Sequence, residues 1–137
     1  MIKKLLILIT CLSLLSCSSL LLRKSPPVGM YKTKIASDKD YWQAITINLV
    51  GNVIDVKFSS SLVKQTENCF YQGRGIWKEG KIWLNLSVKE KNKPVFMIIT
   101  PLGNNQLSVF TEKFEDRFYL MHPCKGGASL AGEYFKI

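Results

Sequence analysis

Residues 41–58, YWQAITINLVGNVIDVKF, carry two apolar rows of period two. Ile45, Ile47 and Leu49 alternate with Thr46 and Asn48. After Gly51-Asn52, Ile54, Val56 and Phe58 alternate with Asp55 and Lys57. That period belongs to strands with one buried face. A two-residue turn with glycine first is a hairpin turn whose twist matches its strands. It sets Leu49 opposite Ile54, Ile47 opposite Val56 and Ile45 opposite Phe58, with Thr46 and Lys57 paired on the polar face. A slip of one residue would turn every apolar side chain to solvent, so the pattern specifies its own register.

The rest of the domain repeats this grammar. Residues 69–78 and 81–89 flank Glu79-Gly80 and predict a second hairpin, with Trp77 facing Ile82 and Ile76 facing Trp83. Ile82, Leu84, Leu86 and Val88 line one face, which places Trp77, Tyr71 and Cys69 inside with them. Trp83 falls on the other face beside Arg74, Ile76, Asn85 and Ser87. Further strands are expected at residues 95–100, 106–111 and 116–122, the first two joined through Leu102-Gly103-Asn104-Asn105. Short helical turns fit residues 59–64 or 129–131, and no long amphipathic helix is present. Gly132-Glu133-Tyr134-Phe135-Lys136 echoes Gly29-Met30-Tyr31-Lys32, so the first and last strands are expected to pair. Eight or nine short strands at about 11-residue spacing predict an all-β fold, a small antiparallel barrel or a sandwich.

The N-terminus has a different character. Lys3 and Lys4 precede an apolar run over residues 5–15, about 11 residues against the roughly 20 that span a bilayer. Leu14-Leu15-Ser16-Cys17 then resembles the lipobox of bacterial lipoproteins, with Leu15 where a smaller residue is more usual. The resemblance covers about the first 20 residues. It implies cleavage before Cys17, a diacylglyceryl thioether and an N-acyl chain on that cysteine, and no other cofactor. Ser18 and Ser19, with no aspartate there, imply release to the outer membrane. The expected organisation is a signal peptide at 1–16, a lipidated tether at 17–28 and the β-domain at 29–137. In the tether, Leu20, Leu21 and Leu22 either dip into the bilayer or pack on the domain. Pro26-Pro27 forbids helix and favours an extended spacer.

Of four cysteines, Cys11 leaves with the signal and Cys17 takes lipid. Cys69 and Cys124 remain as an even pair in an oxidising compartment, and a disulfide is expected. A zinc site has one histidine to offer, His122, and no second cysteine at ligand spacing.

The 137 residues suit one domain. The formal net charge is +9, which falls by two when Lys3 and Lys4 leave. Such a charge favours anionic partners. Export excludes nucleic acid and leaves an envelope protein, a glycan or anionic lipid. Lys89, Lys91 and Lys93 read as a solvated strand end. Gly126-Gly127-Ala128-Ser129 lacks the following helix of a phosphate loop and reads as a loop needing unusual backbone angles. Glu112, Glu115 and Asp116 read as a solvated turn. His122 alternates with Leu120 and Phe118 and is expected to cap the core face. No acid, base and nucleophile set is visible, so the domain is read as non-catalytic.

The binding candidate is Trp83 with Arg74 and Ile76, an aromatic and an arginine on an otherwise polar face. The domain is therefore expected to be a binding module of an outer-membrane lipoprotein. The alternative is an inhibitor of a host or competitor enzyme. Small periplasmic lysozyme inhibitors are similar in anchor, barrel and disulfide, although none of their motifs occurs here and the basic charge would repel a basic lysozyme.

Overall fold

A computed structural model describes residues 25–34, 37, 40–63, 66–89 and 91–137. The expected signal peptide, Cys17 and the expected tether as far as residue 24 lie outside the described residues. Ten strands follow: β1 (Gly29–Lys32), β2 (Gln43–Val50), β3 (Val53–Ser60), β4 (Leu62–Val63), β5 (Thr66–Glu67), β6 (Tyr71–Lys78), β7 (Lys81–Asn85), β8 (Phe96–Gly103), β9 (Gln106–Thr111) and β10 (Gly132–Lys136). Eight of them close an antiparallel barrel in the order β1-β10-β9-β8-β7-β6-β3-β2. The pair β4-β5 is a separate ribbon. The fold is thus a barrel and not a sandwich.

The β2-β3 register is the expected one: Leu49 opposes Ile54, Ile47 opposes Val56 and Ile45 opposes Phe58. Gly51 takes a φ of 62° at the first turn position, which glycine alone adopts without cost. The second hairpin matches in register, with Ile76 opposite Trp83 and Trp77 opposite Ile82, but its strands are shorter than expected: β6 begins at Tyr71 and β7 ends at Asn85 rather than at residue 89. β1 and β10 pair through Tyr31-Lys136 and Lys32-Phe135 and close the barrel, so no edge is left open. The β8-β9 turn is tighter than the four residues expected. β8 runs to Gly103, and Asn104 and Asn105, both at positive φ, make a two-residue turn.

The interior is filled. Tyr31, Ile45, Ile47, Val56, Phe58, Ile82, Leu84, Met97, Ile99, Leu107, Val109 and Tyr134 are all buried in one cluster. Each large side chain so buried contributes about 1.5–3 kcal/mol from desolvation. Two sequence expectations fail at the barrel ends. Leu49 is 53% exposed, because its inner face runs past the last core layer. Residues 116–122 are not a strand but part of a 3-10 helix, Phe114–Met121. With β10 closing the sheet, no edge remains for another strand. The segment folds over the open end, where Leu120 and Leu130 are buried as a plug and the Leu130 amide donates to the Leu120 carbonyl at 2.9 Å. Phe118 and His122 accordingly face out, and His122 does not cap the core. Where a helical turn was expected from residue 59, Ser59 and Ser60 end β3 and Leu62–Val63 form β4.

A buried polar cluster ties this plug to the barrel. The Gln43 amide group lies 2.9 Å from the Ser129 carbonyl, 2.9 Å from Cys69 Sγ and 3.1 Å from the Tyr41 hydroxyl. The Tyr134 hydroxyl is 2.8 Å from the Leu130 carbonyl and 3.0 Å from Gln43 Oε1. The Cys69–Cys124 disulfide fastens the same region.

Burial raises the Tyr134 hydroxyl well above its ordinary pKa of 10.0, with the nearby Tyr41 adding to the rise. Burial raises Tyr71 in the same direction. A group with a raised folded-state pKa keeps its proton in the fold when the unfolded chain has lost it. The stability it carries is full below pH 10 and is lost as pH rises through the folded-state value. The denaturation midpoint should therefore be level just below pH 10 and fall above it. Tyr134→Phe should flatten that fall while costing about 1–3 kcal/mol at neutral pH, since it removes the donor from a buried oxygen. An alkaline limb equally steep in the variant would contradict this role for Tyr134.

Candidate functional site

Since the interior is packed, the outer wall is where a ligand would meet the protein. Outward positions of a barrel strand are ordinarily polar. Here one row of them is apolar from strand to strand. Val50 pairs with Val53 across β2-β3. Ile54 pairs with Gly75, which brings Ile76 level with Val53. Ile76 pairs with Trp83, Trp83 with Ile98 and Ile98 with Phe110. Six neighbouring strands thus supply one apolar residue each, a stripe that follows the curved barrel wall for about 24 Å at the usual strand spacing.

Aromatic rings broaden it. Phe96 meets the Trp83 ring edge-on at 5.7 Å, and Phe114 lies 6.2 Å from Phe110. Ile98, in the middle, is only 8% exposed although it points outward, because its neighbours cover it. Ile76 at 57% and Phe114 at 66% remain open. Trp83 is held in place by its own neighbours. Its indole N–H donates to the Lys78 carbonyl at 3.0 Å, and the Lys78 ammonium sits 5.1 Å from its ring centre. Arg117 lies over both Phe114 and Phe118, 4.0 and 4.3 Å from their ring centres.

Of the three residues singled out in the sequence, Trp83 and Ile76 touch directly in register. Arg74 shares their face, but its Nε binds Asp55 Oδ1 at 3.1 Å, turned away from Trp83 toward β3. That pair is largely solvated and contributes at most about 1 kcal/mol. Val50, Val53, Phe96, Ile98, Phe110 and Phe114 were missed. The signal was present: β8 is apolar at successive positions, so both its faces are apolar, and one of them must be the outside.

The remaining candidates settle as follows. Cys124 is bonded to Cys69, so it cannot act as a nucleophile with His122, whose ring packs edge-on against Tyr119 at 5.3 Å. Asp116 is not in a solvated turn; it is buried, and Lys91 Nζ binds its Oδ1 at 2.9 Å. That hydrogen bond raises the Lys91 pKa. Lys91 is thus an ion-pair partner and not just a solvated cation. Residues 91–95 with Lys113, Glu115 and Asp116 line an open depression of mixed charge. Gly126 and Gly127 have φ of 62° and 79°, the unusual angles expected of that loop. Among the described residues no group of three or more His, Cys, Asp or Glu side chains is placed to hold a metal ion. No family model, no curated protein and no solved structure matches the chain.

Proposed function

We propose that the chain is an outer-membrane lipoprotein of the cell envelope, acylated on Cys17, whose barrel is a non-catalytic module that binds a partner protein. The observation that carries the binding role is the stripe from Val50 to Phe110 on the outside of a filled barrel. Contiguous apolar surface of this kind on a small domain marks an interaction site. The stripe follows the curve of the barrel, and its central part, Ile76, Trp83 and Ile98 on three neighbouring strands, is an aromatic-aliphatic surface that suits another protein better than a small ligand. Trp83, rigid at its centre, has the character of an interface anchor.

The test is photo-crosslinking in living cells from a reactive residue at position 83, with position 72 on the same wall as control. A discrete protein adduct from 83 and none from 72 is the expected result, and mass spectrometry then names the partner. An adduct with a lysozyme would make the module an inhibitor. Equal, diffuse labelling from both positions would end the proposal. Ile76→Asp should weaken capture of that partner at least about tenfold, while changing stability by no more than about 0.5 kcal/mol, because the side chain is exposed.

A further inference from the structure

The two ends of the barrel differ in construction. At one end lie the three two-residue hairpins of the barrel itself, at 51–52, 79–80 and 104–105, together with the start of β1 and the end of β10. The long connections, the ribbon, the 3-10 helix and the disulfide occupy the other. The hairpin end exposes Val28, Leu49, Val50, Val53, Leu102 and Ile137. The turn residues themselves are polar or glycine, and the aliphatic side chains flank the 51–52 and 104–105 turns and the start of β1 and end of β10. Lys78, Lys81 and Lys136 stand exposed at the same end, opposed by Glu79.

The geometry points to this end as a membrane-docking surface: the barrel stands on an anionic phospholipid leaflet, its aliphatic rim in the headgroup-acyl boundary and its lysines among the phosphates. The inference rests on acylation of Cys17. Chain connectivity selects the end. β1 begins at Gly29 on the hairpin rim, and Cys17 precedes Ser25 by a segment that reaches at most roughly 28 Å. An eight-residue strand is about 27 Å long. To place the opposite end on the bilayer, nearly the whole tether would have to run back along the wall. That end also exposes Leu62, Phe70, Phe114 and Phe118. The three aromatics there lie under cations, Phe70 beneath Lys57 and the other two beneath Arg117. Aliphatic side chains at the strand ends beside lysines combine apolar area that can be buried with attraction to anionic lipid, the two contributions that hold a protein at an interface. Docked this way, the apolar stripe starts at the bilayer at Val50 and Val53 and climbs the wall toward Phe110.

The test uses the mature, acylated full chain in phosphatidylglycerol-containing vesicles. An environment-sensitive dye is placed on Val50→Cys, on Val53→Cys as a second variant, or on Leu62→Cys, all at exposed positions. Mass spectrometry reads the acyl chains on Cys17. The dye at 50 or 53 should shift to the blue and be quenched by a quencher on the lipid tails, and the dye at 62 should report water. Lys78→Glu with Lys81→Glu should weaken docking at least about tenfold on these vesicles and leave it unchanged on purely zwitterionic ones. An acylated chain with both rim dyes in water, or with the dye at 62 in the tails, overturns the docking end and leaves the lipoprotein reading standing. A chain with no acyl mass on Cys17 overturns both.

Discussion

Replacing Cys69 and Cys124 together by alanine should cost about 4 kcal/mol of folding stability, read as the shift of a denaturant midpoint at unchanged slope. The bond joins residues 55 apart in sequence. Without it the unfolded chain regains the freedom of a long loop, and that entropy alone accounts for the figure. The folded side adds to the loss. Cys69 is fully buried, and its sulfur accepts hydrogen bonds from Gln43 Nε2 at 2.9 Å and from the Tyr41 hydroxyl at 3.3 Å. Alanine takes that acceptor from the Tyr41 hydroxyl, while the two Gln43 N–H bonds keep the Ser129 carbonyl and the Tyr41 oxygen. Reductant acting on the unsubstituted protein should reproduce most of the loss. A loss below about 1 kcal/mol would mean that the Leu120-Leu130 plug and the Gln43 cluster hold this end without the bond. The same substitution should loosen the 112–131 connection, which carries Phe114. Capture of a partner through position 83 should therefore fall more than the unfolded fraction explains.

The disulfide also shows what a sequence discloses. It was legible because, of four cysteines, the lipobox resemblance sets two aside in the N-terminal segment and leaves one pair. The hairpins were legible because one face of each strand is polar, so alternation assigns the faces, and Gly51 and Gly80 mark the turns. Closure by β1 and β10 was legible in the likeness of their residues. The 3-10 helix was not. Phe118, Leu120 and His122 alternate like a strand, and only the closed sheet shows that no edge remained for them. The stripe was half legible, and for a related reason. Trp83 and Ile76 stand out against polar neighbours, whereas Ile98 and Phe96 sit in a run apolar on both faces. Alternation identifies the outside only where the outside is polar. Which outward residues meet across strands is a matter of register, and β8 contributes Ile98 through its pairing with Trp83 on one side and Phe110 on the other.

Gly75→Ala should destabilise the barrel by about 1–3 kcal/mol, and Gly75→Val by at least as much. Local preference argues for the opposite sign. Gly75 lies inside β6 with an ordinary strand φ, where alanine narrows the unfolded ensemble and gains about 0.4–1 kcal/mol, and valine is the better strand former. Packing decides otherwise. A Cβ on Gly75 would stand 2.8 Å from Ile82 Cγ2, 3.0 Å from the Trp83 carbonyl oxygen and 3.1 Å from Leu84 Cγ. Ile82 and Leu84 are fully buried and cannot swing aside into solvent. The carbonyl belongs to β7, so moving it displaces the strand. The close approach is what lets β6 and β7 bend tightly around the core at this point. The displacement would have a functional mark, because Ile76 and Trp83 are the next pair along and form the centre of the stripe. Gly75→Ala should therefore lose both stability and partner capture, whereas Ile76→Asp loses capture alone. Equal stability of Gly75→Ala and the unsubstituted protein would show that β7 can shift without cost, and the rigid placement of Trp83 would fall with it.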